Sequence, residues 1–187
     1  MSEVSYKDFD ILSEQDKAEA LALINRYDQL DKQDSCQADF MSFIKHMWPE
    51  FIEGRHHKII ADKFNRIADG KLKRLIVCLP PRHSKSEFAS TFFPAWMMGR
   101  RGDLKIIQTT HTAELAVRFG RKVRNLIGSE DYQHVFPELQ LQADNKSAGR
   151  WTSNQEGEFF AAGVGGAITG RGADLLIIDD PHSEQDA

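Results

Sequence analysis

Two short stretches carry side chains suited to phosphate chemistry. The first is "LPPRHSKSE", Leu79 to Glu87, in which Arg82 and Lys85 are cations and Ser84 and Ser86 are hydroxyls. The second is "LLIIDD", Leu175 to Asp180, where four apolar residues run into adjacent carboxylates. Set against the phosphate-loop pattern G-x-x-x-x-G-K-[ST], Lys85 and Ser86 take the last two places. Leu79 and Ser84 stand where that pattern has glycine. A phosphate cradle needs a strand end, a turn with converging N–H groups and a helix start whose dipole favours an anion. Pro80 and Pro81 have no N–H to give. The donors must then come from Arg82, His83, Ser84, Lys85 and Ser86, where the helix begins. In such a site Lys85 meets the β- and γ-phosphates, Ser86 ligates a metal ion, and Arg82 adds a second cation. Asp179 holds Mg²⁺, usually through water, and Asp180 orients or deprotonates the attacking water.

Each stretch also has a plainer reading. The first is a strand followed by a basic surface turn, the second a strand running into an Asp-Asp-Pro turn. A third reading gives Asp179, Asp180 and His182 to a divalent ion, but the adjacent acids fall on opposite faces of a strand. Order and separation favour the nucleotide reading, because both pieces occur in sequence about 90 residues apart.

Positioning these groups requires strands that alternate with helices. Ser13 to Leu30 reads as an amphipathic helix with Leu23, Tyr27 and Leu30 on one face. A second helix follows "DKQDS" with Phe40, Phe43, Ile44 and Met47 as its stripe, ending by Pro49. A third spans about Arg55 to Ala68, with Ile60, Phe64 and Ile67 together and Gly70 as its stop. "LKRLIVCL" from Leu72 is expected to be a buried strand, and "KSEFASTFFPAWMMGR" a helix bent or ended near Pro94. "LKIIQTT" is a second strand. "TAELAVRFGRKVRNLIGS" is a helix that turns Leu115, Phe119, the Lys122 stem, Val123 and Leu126 inward. "EDYQHVFPELQLQADNKSAGR" reads as a looser region, "RWTS" and "GEFFAAGV" as a strand pair, and "ADLLIIDDP" as a third buried strand. The pattern implies an α/β fold with a mainly parallel sheet flanked by helices, behind an N-terminal helical segment of residues 1–50.

The charge distribution points the same way. Residues 55–125 hold 16 Lys and Arg against 5 Asp and Glu, although the chain as a whole carries −4. A basic middle suits polyanionic partners, nucleotide or nucleic acid, or else a set of solvated helix faces. No apolar run approaches the roughly 20 residues of a membrane span. The acidic "MSEVSYKDFD" is unlike a secretion leader. Cys36 and Cys78 read as two buried, reduced thiols in a reducing compartment.

Three segments together, "LPPRHSKSE", "IIQTTHTAELA" and "GGAITGRGADLLIIDDP", resemble the ATPase domain of the large terminase subunit of tailed phages, a DNA-packaging motor. The similarity runs from about Phe51 to the last residue. The resemblance implies a P-loop NTPase-like fold of the additional-strand class over residues 51–187. It implies ATP and Mg²⁺ as substrate and cofactor, with Arg82, His83, Ser84, Lys85 and Ser86 at the nucleotide, Ser86 and Asp179 at the metal, and Asp180 and Arg82 as catalytic groups. Arg82 would be a phosphate sensor or an arginine finger in cis. Relatives often have Glu where Asp180 stands, and they contact adenine near His56 and His57, which also read as ordinary helix-start histidines. Thr109, Thr110 and Thr112 would lie by the phosphates or cap the next helix. Arg171, among Gly165, Gly166, Gly170 and Gly172, would couple nucleotide state to motion or meet a neighbouring subunit. Arg100, Arg101, Arg118, Arg121 and Arg124 are candidate fingers in trans. The implied partners are double-stranded DNA, a terminase small subunit, a portal and further copies in a ring, with no membrane. The implied place is the host bacterial cytoplasm and, transiently, the procapsid portal.

The same resemblance marks the chain as an N-terminal fragment, or a truncated product, of a longer motor whose C-terminal nuclease domain is not in this chain. Its sheet is then incomplete, because the implied order places one further strand between the Walker A and Walker B strands. Two other functions fit the residues: a helicase-like DNA-dependent ATPase, and a catalytically incompetent fragment that binds DNA or a partner.

Overall fold

The computed structural model describes residues 13–166 and 168–182. Among them lie six α-helices, one π-helix and a five-stranded mixed sheet. Helix α1 is Glu14–Ala38, capped by the Ser13 hydroxyl, and it runs on through the expected break at "DKQDS". Helix α2 is Phe40–Met47, and α3 is Arg55–Ala68. Asn65 of α3 ties the start of α2. Its Nδ2 donates to Asp39 Oδ1 at 2.7 Å, and its Oδ1 accepts from the Phe40 N–H at 2.9 Å.

The π-helix Glu87–Phe92 continues directly into α4, Phe93–Arg100. Pro94 does not break this helix: it directly follows the π-helix, where the Phe93 N–H reaches back to the Phe88 carbonyl and the ladder has already left the α register. Strand β1, Lys105–Thr110, leads into α5, Ala113–Ile127, and then α6, Glu130–Val135. Strands β2 (Leu141–Lys146), β3 (Arg150–Ser153), β4 (Glu158–Gly163) and β5 (Leu175–Asp179) complete the sheet. The region read as loose therefore holds α6 and β2. Its polar composition hid both: Ser129 caps α6, and Tyr132 buries its ring and donates its hydroxyl to the Ala95 carbonyl.

The strand order is β2-β3-β4-β1-β5. β1 pairs in parallel with β4 and β5, whereas β2-β3 and β3-β4 are antiparallel. The sheet is thus mixed rather than mainly parallel, because short connections fold β2, β3 and β4 back as a meander. Trp151 of β3 and Phe159 of β4 stack at 4.9 Å, and the Trp151 indole donates to the Gly120 carbonyl of α5. Gly120 lets α5 lie close to the chain ahead of β3, since a Cβ there would meet the Ala148 carbonyl at 2.6 Å.

One aromatic cluster joins the helices to the sheet. Phe40 lies at its centre, with the rings of Phe64, Phe88, Phe93 and Trp96 around it. The apolar stripe of α1 is not part of this core: Leu23, Tyr27 and Leu30 are exposed. Only the C-terminal end of α1 is buried, at Cys36.

The expected strand from Leu72 to Leu79 does not form. The backbone is extended, and Leu75, Val77 and Leu79 pack against the core while Ile76 and Cys78 face solvent. Among the described residues, no backbone hydrogen bond reaches residues 73–80. Cys78 is therefore exposed, not buried as its apolar neighbours suggested. The alternation is a strand's, but the ladder is missing. Strand β5 differs from expectation in a related way: Ile177 and Asp179 are buried, whereas Leu176 and Ile178 are exposed.

Candidate nucleotide site

The two stretches that opened the sequence reading meet at one end of the sheet. Lys85 Nζ donates to Asp180 Oδ1, and it lies 3.6 Å from Asp179 Oδ1. Asp179 ends β5 and is buried, while Asp180, the next residue, is exposed. Burial pulls the Lys85 ammonium down, but the two carboxylates outweigh it, and its pKa is raised overall. The Asp180 carbonyl accepts from the His111 N–H, so the end of β5 is also fixed to the residue after β1.

The backbone of the Arg82–Ser86 loop takes left-handed turns without glycine. Arg82 has φ 63° and Ser84 has φ 59°, both in the left-handed region. Asp180 has φ 43°. Three of the four described non-glycine residues with positive φ are therefore at this site. Each such residue costs of order 1–3 kcal/mol and persists only where its surroundings impose it. Alternating right- and left-handed residues turn successive N–H groups toward one concavity, which suits an anion. Ser84 occupies the glycine place of the pattern and adopts the glycine conformation.

A direct prediction follows. Ser84→Gly relieves the left-handed strain and loses part of that gain to a more flexible unfolded chain. The net expectation is a stabilisation of up to about 1 kcal/mol, read as a higher urea midpoint. Ser84→Val, with a branched Cβ, should lower it. A midpoint that falls with glycine as far as with valine would contradict the left-handed assignment.

Helix formation begins at Lys85, and the Ser84 carbonyl accepts from the Phe88 N–H. The π-helix then packs against β5. There the Ser90 hydroxyl, fully buried, donates to Asp179 Oδ2 at 2.9 Å. Sequence reasoning passed over Ser90, whose inward placement depends on the π-turn. Ser86 itself makes no capping bond through its side chain. Lys122 of α5 reaches Glu87 at the start of the π-helix and braces it from the other side.

Three histidines adjoin the loop. The rings of His56 and His57 lie 3.8 Å apart, and His56 is 5.5 Å from His83. His57 Nδ1 accepts from the Gly54 N–H at 2.9 Å, which places its proton on Nε2 and starts α3. Its Nε2 is buried without a hydrogen-bond partner of good geometry. Burial, then His56, holds the His57 pKa below the ordinary histidine value. The unfolded chain therefore takes up this proton first as pH falls, so the stability present above about pH 6.5 is lost below it. We expect a lower melting temperature at pH 5.5 than at pH 7.5. His57→Asn keeps an acceptor for Gly54 and cannot titrate, so it should flatten that difference. The depressed carboxylates of Asp62, Asp69 and Asp174 act at lower pH and do not enter this window. Equal pH dependence in both proteins would exclude His57 as the source.

The remaining expected residues fall into two groups. Thr112 caps α5 by accepting from the Leu115 N–H, and Thr110 donates to the Thr112 carbonyl, so both serve the turn after β1. The Thr109 hydroxyl is buried without a partner. Arg171 is anchored to the sheet, with its guanidinium 4.0 Å from the Phe160 ring and bonded to Glu158 at 3.0 Å. Arg100 pairs with Asp69, and Arg101 with Asp103 and Asp174, while Arg118 and Arg121 are exposed on α5. Among the described residues no group of three or more His, Cys, Asp or Glu side chains is arranged to hold a metal, so Asp179, Asp180 and His182 form no such cluster. A groove of about 620 Å³ lined by Gln33, Asp34, Arg100, Phe136, Glu138 and Gln155 includes the candidate finger Arg100 but no residue of the 82–86 loop or of the Asp179–Asp180 pair.

Comparison with protein-family models, with curated proteins and with solved structures finds no match.

Proposed function

We propose that the chain binds ATP at the Arg82–Ser86 loop and hydrolyses it with Asp179 and Asp180, as the ATPase part of a terminase-like DNA-packaging motor. The observation that carries this reading is the meeting of Lys85 with Asp179 and Asp180 beside a loop whose Arg82 and Ser84 are left-handed. In this reading the N–H groups of residues 82–86 and the start of the helix receive the phosphates. Lys85 leaves Asp180 for the β- and γ-phosphates, and Arg82 closes on them from the exposed side of the loop. Asp180, freed of its cation and exposed, orients the attacking water and receives its proton. Asp179 and Ser86 would hold Mg²⁺, which when bound neutralises charge on the phosphate oxygens. The motor assignment, with double-stranded DNA, small subunit, portal and ring partners in a host cytoplasm, rests on the sequence resemblance and on the basic stretch 55–125.

Steady-state ATP turnover by the chain, and by Lys85→Ala and Asp179→Ala, tests the site. Turnover that survives both substitutions would remove it. For the nucleic-acid role, duplex binding should weaken steeply between 50 and 200 mM salt (a range set by counterion release). Salt-independent binding would exclude phosphate contacts by the basic stretch.

A further inference from the structure

The two oxygens of Asp179 face different surroundings. Oδ2 accepts from the buried Ser90 hydroxyl at 2.9 Å, and Oδ1 lies toward Lys85 at 3.6 Å. A buried carboxylate with a free side-chain torsion would sample several orientations, and a fixed donor on one oxygen selects one of them. The π-helix supplies that donor. Its widened turn lies against β5 and carries Ser90 and Thr91 inward, so Ser90 meets the last residue of the strand. Ser90 is too deep to touch a nucleotide in the loop mouth, since it is wholly buried, and it can act only through Asp179.

We infer that Ser90 is a positioning residue, which holds Asp179 so that Oδ1 alone is presented to a divalent ion carried with the nucleotide. This rests on the nucleotide reading of the site. Ser90, rather than Ser86, orients the acid, and Ser86 remains available as a ligand. Hydrogen-bond partners behind metal ligands typically control metal affinity or activity by 10–100-fold.

The test uses the full chain with Ser90→Ala and Ser90→Cys. Alanine removes the hydroxyl and its volume, whereas cysteine fills the space with a weak donor. Two readouts are needed: the Mg²⁺ concentration for half-maximal ATP turnover, and Mn²⁺ binding followed by electron paramagnetic resonance with a non-hydrolysable ATP analogue present. Both variants should need about 10-fold more metal in each readout, with little change in the KM for ATP at saturating Mg²⁺. If cysteine restores wild-type metal dependence, the role of Ser90 is packing alone and the inference fails. Wild-type metal dependence in both variants, while Lys85→Ala is inactive, overturns Ser90 and leaves the nucleotide site standing. Absence of Mn²⁺–nucleotide binding by the unsubstituted chain overturns both.

Discussion

Replacing Lys85 by alanine should lower ATP turnover by about 10²–10³-fold or more, the loss seen when a single preorganised charge-stabilising donor is removed. Lys85 bridges the loop and the strand, so its removal acts on both. The phosphates lose their nearest ammonium, and Asp179 and Asp180 lose the cation they share at the end of β5. Lys85→Arg should rescue poorly, because a planar fork cannot replace a compact ammonium in this space. The stability cost should be small, ~1 kcal/mol, because Asp180 is exposed and water screens the closer of the two pairs. The decisive measurement is turnover together with a urea melt. An inactive variant that melts like the unsubstituted protein places the effect in the chemistry, and an unimpaired variant removes Lys85 from it.

Phe40→Ala should have the largest effect on stability, about 3–5 kcal/mol. Phe40 is fully buried, and its ring meets Phe64 at 5.1 Å, Trp96 at 5.4 Å, Phe88 at 5.6 Å and Phe93 at 5.9 Å. These rings belong to α3, the π-helix and α4, so one deletion opens a cavity shared by three elements. Edge-on aromatic contacts add to the area term, and close packing prevents the neighbours from filling the space. For a chain of this size the melting temperature should fall by roughly 6–20 °C. Nucleotide binding should weaken as well, because Phe88 belongs to the π-helix that carries the loop. A loss below about 1 kcal/mol would show that the cluster relaxes more readily than its packing implies.

The helices and the site were legible for different reasons. Thr112 stands before an apolar stripe and caps the helix that the sequence implies, whereas the second helix starts only at the Asp39 cap, beyond the break expected at "DKQDS". Lys85, Asp179 and Asp180 were singled out as a set because few residue types suit phosphate chemistry, and the structure brings the three side chains together. Ser90 was not, since its role depends on the register of a π-turn that no periodicity reports. The strand expected at Leu72–Leu79 failed for a related reason. Its apolar alternation specifies which side chains turn inward, and the packing of Leu75, Val77 and Leu79 obeys it. A ladder, however, needs a neighbour, and local sequence does not say whether one is adjacent. The exposed stripe of α1 makes the same point: Leu23, Tyr27 and Leu30 share a face, yet among the described residues no surface covers them.

The unpaired stretch 73–80 bears on how the Arg82–Ser86 loop is kept in shape. Its two limbs belong to different units of local stability. The outgoing limb is part of a helix braced by Phe88, Ser90 and Lys122, and it opens only with the aromatic core. The incoming limb contributes no rungs to the sheet and can detach by giving up the partial burial of Leu75, Val77 and Leu79. Order in the loop is therefore inherited from the residues that follow it, and the chain ahead of Pro80 can fray while Lys85 keeps its place.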